Sequence, residues 1–99
     1  MLVENFSFSS CFPEYSRDEK VVKRLDQRSK SIIDPFADQI SGARVLDLGC
    51  HDGRWSYALA AAGAKEVVGI EGRQNLLDRF LLFPESTFKN KISFKCGDM

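Results

Sequence analysis

No apolar run in these 99 residues approaches the roughly 20 residues that a membrane-crossing helix needs, so no membrane partner is expected. The start, MLVENFSF, lacks a basic segment followed by an apolar one, and no secretory signal is read there. Charge of one sign is also lacking: 14 Lys and Arg balance 14 Asp and Glu. That argues against a protein held to nucleic acid by its overall charge, while a local basic patch stays open. Cysteine is scarce, and positions 11, 50 and 96 form neither CxxC nor a Cys/His spacing. An odd, scattered set excludes a disulfide framework and a zinc site, and predicts reduced thiols, no metal and a cytoplasmic protein. Repeats and low-complexity tracts are absent.

What is there is a strand–turn–helix signature, Arg44-Val-Leu-Asp-Leu-Gly-Cys-His-Asp-Gly-Arg54. It reads as a short buried strand (44–48), a glycine-bearing turn, and a helix start. Glycines at 49 and 53 let a ligand lie against bare backbone, because glycine has no Cβ and takes positive φ readily. The first N–H groups of the following helix and its dipole favour the same spot. Gly63 is a natural stop for that helix. Glu66–Ile70 predicts a second strand, Arg73–Phe83 a helix with Leu76, Leu77, Phe80 and Leu81 on its inner face, and Lys91–Cys96 a third strand. Alternating strands and helices imply parallel strands joined by right-handed crossovers, in the order 3-2-1. Upstream, Ser16 and Glu19 have capping-box spacing. Val21, Val22, Leu25, Ile32 and Ile33 share a face, which predicts a helix over 17–32 that Asp34-Pro35 breaks. A second short helical turn then runs to Ile40. Residues 1–42 are thus read as an N-terminal arm and helical extension, and 43–99 as a partial α/β ligand-binding domain.

Three acidic residues, Asp47, Glu71 and Asp98, fall at or near the carboxyl ends of the three strands, where open parallel sheets bind ligands. Glu71 comes 22 residues after Gly49, where a carboxylate can accept both hydroxyls of a ribose. In this context VLDLGCHDG resembles motif I of the class I S-adenosylmethionine-dependent methyltransferases. VVGIEG resembles their second strand and FKCGDM their third, in the same order, over roughly residues 43–99. The resemblance implies a Rossmann-like three-layer α/β/α fold, cut here to three parallel strands with a helical extension. It implies S-adenosylmethionine as cofactor and S-adenosylhomocysteine as product. By the same resemblance, the backbone at Gly49 and Cys50 lies against the methionine part, with Asp47 setting the turn and facing the amino group. Glu71 holds the ribose, and Gly72 and Arg73 flank the adenine. Asp98 and the Met99 N–H meet the adenine edge. His51 stands where the family commonly has a glycine, and with Gly53 it completes the candidate set.

Plainer readings apply to several residues. His51, the only histidine, reads as a turn residue at the rim rather than a general base. Cys50 reads as a small residue tolerated beside a ligand, and Cys96 as core. Trp55 and Tyr57 read as packing residues. The basic residues of the first helix (Lys20, Lys23, Arg24, Arg28, Lys30) are diluted by Asp18, Glu19 and Asp26 and read as a solvated face. For the aromatic arm (Phe6, Phe8, Phe12, Tyr15), a lid and core packing are equally open. No catalytic residue and no methyl acceptor can be assigned. A non-catalytic cofactor-binding or assembly module is the first rival. An NAD-dependent oxidoreductase is the second, disfavoured because His51 and Arg54 occupy two glycine positions of its fingerprint. Three strands give a thin core and leave Val45–Leu48 as an unpaired edge. The expectation is a piece of a longer protein, or a chain that associates with a second copy through that edge.

Overall fold

The computed structural model describes residues 13–97. Pro13–Ser16 forms one helical turn, α1, and Glu19–Ile32 forms a longer helix, α2. Asp18 caps α2, its carboxylate accepting from the Lys20 N–H at 3.1 Å and the Val21 N–H at 3.4 Å. The capping box expected at Ser16 does not form, because Ser16 closes α1 and is not free to take the extended backbone of a cap. Asp18 has that backbone, with φ −82° and ψ 105°. Asp34-Pro35 does end α2. A 3₁₀ turn at Asp34–Phe36 follows, then the short helix α3 at Ala37–Ile40.

Arg44–Leu48 (β1), Glu66–Glu71 (β2) and Ile92–Cys96 (β3) make one parallel sheet with β2 in the centre, the expected order. Leu48 pairs with Ile70 and Glu71 with Cys96, so the carboxyl ends of the strands stand side by side. The crossovers are α4 (Arg54–Ala61) and α5 (Gln74–Arg79). Gly63, at φ 111°, turns the chain out of α4. This is the Rossmann-like α/β architecture anticipated from the sequence.

The helices lie over one face of the sheet. Val67 is fully buried beneath Tyr57, Ala58 and Ala60 of α4, and Leu25 and Ile33 of α2 join the same core. Tyr57 meets Phe83 and Phe88 edge-on, at centroid distances of 5.8 and 5.9 Å, a favoured aromatic geometry. The other face is open: Leu46 and Leu48 are 58% and 59% exposed. No helix among the described residues is long and apolar enough to cross a membrane.

Two further sequence expectations fail for local reasons. The helix expected to reach Phe83 ends as α-helix at Arg79 and tightens into a 3₁₀ turn at Phe80–Leu82. The tighter winding turns Leu81 outward, 76% exposed, while Phe83 becomes buried. Cys96, expected in the core, is exposed. It ends an edge strand whose Ile92 and Phe94 are reached by the core while its last residue is not.

Candidate functional site

The turn after β1 is built on positive φ at Gly49 (68°), His51 (57°) and Gly53 (90°). The N–H groups of Gly49 and Cys50 donate to the Ile70 carbonyl at 2.8 and 3.1 Å, which fastens the turn to the end of β2. The turn therefore offers its backbone surface, with these two amides already used. Gly53 is required for packing: a Cβ there would lie 2.6 Å from Phe80 Cδ1 and 2.9 Å from Phe94 Cζ. The sequence reading missed Gly69 in β2, where a Cβ would meet Phe94 at 2.7 Å and Cys50 Sγ at 2.8 Å. A glycine inside a strand pattern is itself the signal of such a close approach. His51 takes the left-handed backbone without being glycine, at the position where glycine was the commoner expectation.

Glu71 closes the rim. Its Oε1 accepts from the His51 N–H at 2.9 Å, and its Oε2 accepts from the Arg73 N–H at 3.2 Å and from Arg73 Nε at 2.9 Å. The Arg73 hydrogen bond, with help from the His51 and Arg73 backbone amides, holds the Glu71 carboxyl down at about 2. The Glu71 side chain is nearly enclosed while that of Arg73 is 63% exposed, so the arginine can leave the carboxylate when a competing donor arrives. Gly72 lies between them and accepts a long contact from Cys96 Sγ at 3.7 Å. Asp98 and Met99 lie outside the described residues.

Asp47, at the end of β1, accepts from Ser56 Oγ at 2.7 Å. Burial pushes its carboxyl up, and the Ser56 hydrogen bond partly opposes this. Cys50 is buried, and burial together with the nearby Asp47 and Glu71 raises its thiol to about 11. A thiol held protonated is a poor nucleophile, which agrees with a packing role.

Asp52 is a second residue that sequence reasoning passed over. It is fully buried at the base of the turn. It accepts from the Tyr15 hydroxyl, the Arg54 N–H at 3.3 Å and Arg54 Nε at 3.0 Å, and it lies 3.4 Å from Arg79 Nε. Burial alone would raise its carboxyl, but the Tyr15 hydroxyl and Arg54 outweigh that and hold it down. One carboxylate thus ties α1, the turn, α4 and α5 together. Tyr15 is core rather than lid, 2% exposed with Arg54 stacked 4.8 Å from its ring centroid, and burial drives its hydroxyl strongly upward. Phe6, Phe8 and Phe12 of the same arm lie outside the described residues. Arg54 also donates to His51 Nδ1 at 2.9 Å, which makes that ring nitrogen an acceptor.

No family model matches the chain. Two curated proteins do. The 23S rRNA (uracil(1939)-C(5))-methyltransferase of Shewanella halifaxensis is 37% identical over 67 residues, covering 68% of this chain and 14% of that protein. The magnesium-protoporphyrin O-methyltransferase of Rhodobacter capsulatus is 34% identical, covering 83% of this chain and 39% of that protein. Both are methyltransferases, and the matched region is similar to that of the class I S-adenosylmethionine-dependent methyltransferases. Solved structures agree. An RNA methyltransferase structure from Pyrococcus horikoshii superposes with a TM-score of 0.57 at 29% identity, over 80% of this chain and 37% of its own. A structure of an S-adenosylmethionine-dependent methyltransferase from Listeria monocytogenes gives 0.52 at 27% identity, over 70% and 29%. At 17% identity the DhpI-SAM-HEP complex shares the fold, with a TM-score of 0.59 over 99% of this chain and 45% of its own. The chain spans 14% and 39% of the two curated relatives it matches.

Proposed function

We propose that this chain is the methyl-donor-binding part of an S-adenosylmethionine-dependent methyltransferase. The observation that carries the reading is the Glu71 carboxylate, held ionised at the end of β2 and joined to the turn after β1 by the His51 N–H. An ionised, nearly enclosed carboxylate with an exposed, displaceable arginine partner suits the paired hydroxyls of a ribose. In this reading Asp47 faces the amino group of the methionine tail, and Gly49 and Cys50 give it a flat backbone surface. Gly53 lets α4 sit close under the turn, and His51 holds the turn's shape. Gly72 and Arg73 border the adenine, and Asp98 and Met99 complete its edge. The bound donor would supply an electrophilic methyl on a sulfonium, and the chain's part is placement for in-line attack.

The relatives' names point to acceptors as unlike as an rRNA uracil and a magnesium porphyrin, so the acceptor here stays open. Residues 1–42 and 43–99 are proposed as extension and donor-binding unit, with a cytoplasmic setting suggested by the unpaired Cys50 and Cys96. Self-association through the side of β1 left unpaired among the described residues is part of the same reading, and sedimentation velocity checks it. Calorimetric titration tests the function. Saturable binding of S-adenosylmethionine and S-adenosylhomocysteine is expected, with little turnover from these 99 residues alone. Binding of NADH in their place would overturn the reading in favour of an oxidoreductase. Binding of none of the three would leave a purely structural module.

A further inference from the structure

We propose that the cleft between α2 and the start of α4 holds a carboxylate or phosphate group of a small methyl acceptor. This rests on the donor-site reading above and names the substrate class of the same site. The cleft encloses about 200 Å³, enough for a charged group with part of a ring but less than the ~300–1,000 Å³ of a typical whole-ligand pocket. One wall is a stripe of α2 at helical spacing, with Val21 and Leu25 beside Arg24 and Arg28. The other is His51, Arg54 and Trp55 at the turn, with Arg79 also lining the cavity.

The charge is one-sided. No carboxylate lines the cavity among the described residues. Asp52, which bonds to the lining residues Tyr15, Arg54 and Arg79, is fully buried and already shared by both arginines. Arg24 and Arg28 have no ion-pair partner among the described residues. Guanidinium groups converging on a small cavity repel one another until an anion joins them, and their forked donors match carboxylate and phosphate oxygens.

Position gives the cleft a purpose. A second depression, of about 250 Å³, shares Arg28, His51, Arg54 and Trp55 with the first and extends to Gly49 of the turn. A molecule anchored by its anion between Arg24 and Arg28 would lay its body along the Trp55 ring toward the donor. A nucleic-acid strand fits less well. On the other side, α2 and the turn before it mix Lys23 and Arg17 with Glu19 and Asp26, which breaks a continuous phosphate track.

Trp55 is the only tryptophan, so its fluorescence reports the cleft directly. The protein, with and without S-adenosylhomocysteine, is titrated with inorganic phosphate, benzoate, benzamide and a single-stranded RNA oligonucleotide. The expected result is a saturable change with phosphate, benzoate or both, none with neutral benzamide, and at least tenfold weaker anion binding in Arg24→Ala/Arg28→Ala. Both side chains are exposed, so the melting temperature of that variant should not move. A phosphate response without benzoate, or the reverse, tells which anion the acceptor carries. No saturable anion response overturns the proposal, as does one that the double variant keeps. Tighter binding of the oligonucleotide than of both small anions also overturns it, in favour of a phosphate track. So does a tenfold loss of S-adenosylhomocysteine affinity in the double variant with 5′-methylthioadenosine unaffected, since the arginines would then serve the donor's own carboxylate. If S-adenosylhomocysteine fails to bind the unaltered protein while the anion response persists, the donor reading falls and the anion cleft stands.

Discussion

The two faces of the sheet carry similar apolar strands and have opposite fates. On one, Val67 and its neighbours lie under α4, α5 and α2 and are buried. On the other, Leu46 and Leu48 of β1 are more than half exposed, and Val68 and Ile70 of β2 are only partly covered. The candidate site belongs to the covered side and to the strand ends. Its turn is fixed by Ile70, its rim by Glu71, and its base by Asp52 with Tyr15, Arg54 and Arg79. The difference teaches that a single helical layer is enough to shape the candidate crevice, to which the open face lends only the Ile70 carbonyl. The exposed Leu46–Leu48 surface lies beside a strand edge that is unpaired among the described residues, the kind of surface through which sheets associate.

The comparison can be broken most forcefully from the covered side. Asp52→Ala would strand the Arg54 and Arg79 charges and the Tyr15 hydroxyl, and should cost about 3–5 kcal/mol by analogy with a broken buried ion pair. Urea denaturation should show this as a large drop in midpoint, and an unchanged midpoint would mean that Asp52 does not tie the elements together. Gly69→Ala comes next. Its new Cβ would meet Phe94 and Cys50 at under 3 Å, and overpacking of that kind should cost ~1–3 kcal/mol. Chemical reactivity sharpens the contrast with the surface. Cys50 should resist iodoacetamide at pH 7 and gain reactivity only as pH rises toward about 11, because burial and two carboxylates keep its thiol protonated. Exposed Cys96 should be alkylated at once, and peptide mapping reads both. The smallest effect is expected on the open face. Leu46→Lys with Leu48→Lys should shift stability by no more than ~0.5 kcal/mol while reducing any self-association seen by sedimentation.

The strands and their order were legible in the sequence, because short apolar runs bounded by glycine and charge leave few alternatives. The faces were not. Val45 and Leu46 look alike in a parallel strand, and only the helices' positions decide which is covered. The place of Glu71, at the end of β2 beside the turn, was legible from its distance to Gly49. Asp52 was not, since an acidic residue before a helix reads as a cap and its decisive partner, Tyr15, lies 37 residues away. The 3₁₀ tightening that exchanged Leu81 for Phe83 is equally invisible to a pattern of fixed period.

Acid adds a directional check on the rim. With its carboxyl held at about 2, Glu71 contributes stability that is present above its unfolded value near 4.5 and is lost only as pH falls toward 2. Asp47, raised by burial, takes up its proton first, so loss of donor affinity on acidification should begin with Asp47 and precede any protonation of Glu71.

The central claim is that an ionised Glu71, fastened to the turn, is the donor's ribose anchor. Calorimetric titration of S-adenosylhomocysteine into the unaltered chain and into Glu71→Gln tests it most directly. Loss of charge-assisted hydrogen bonds worth ~1.5–3 kcal/mol predicts affinity weaker by roughly ten- to a hundredfold in the variant, with the fold intact by circular dichroism. Equal affinity in the two proteins would contradict the account.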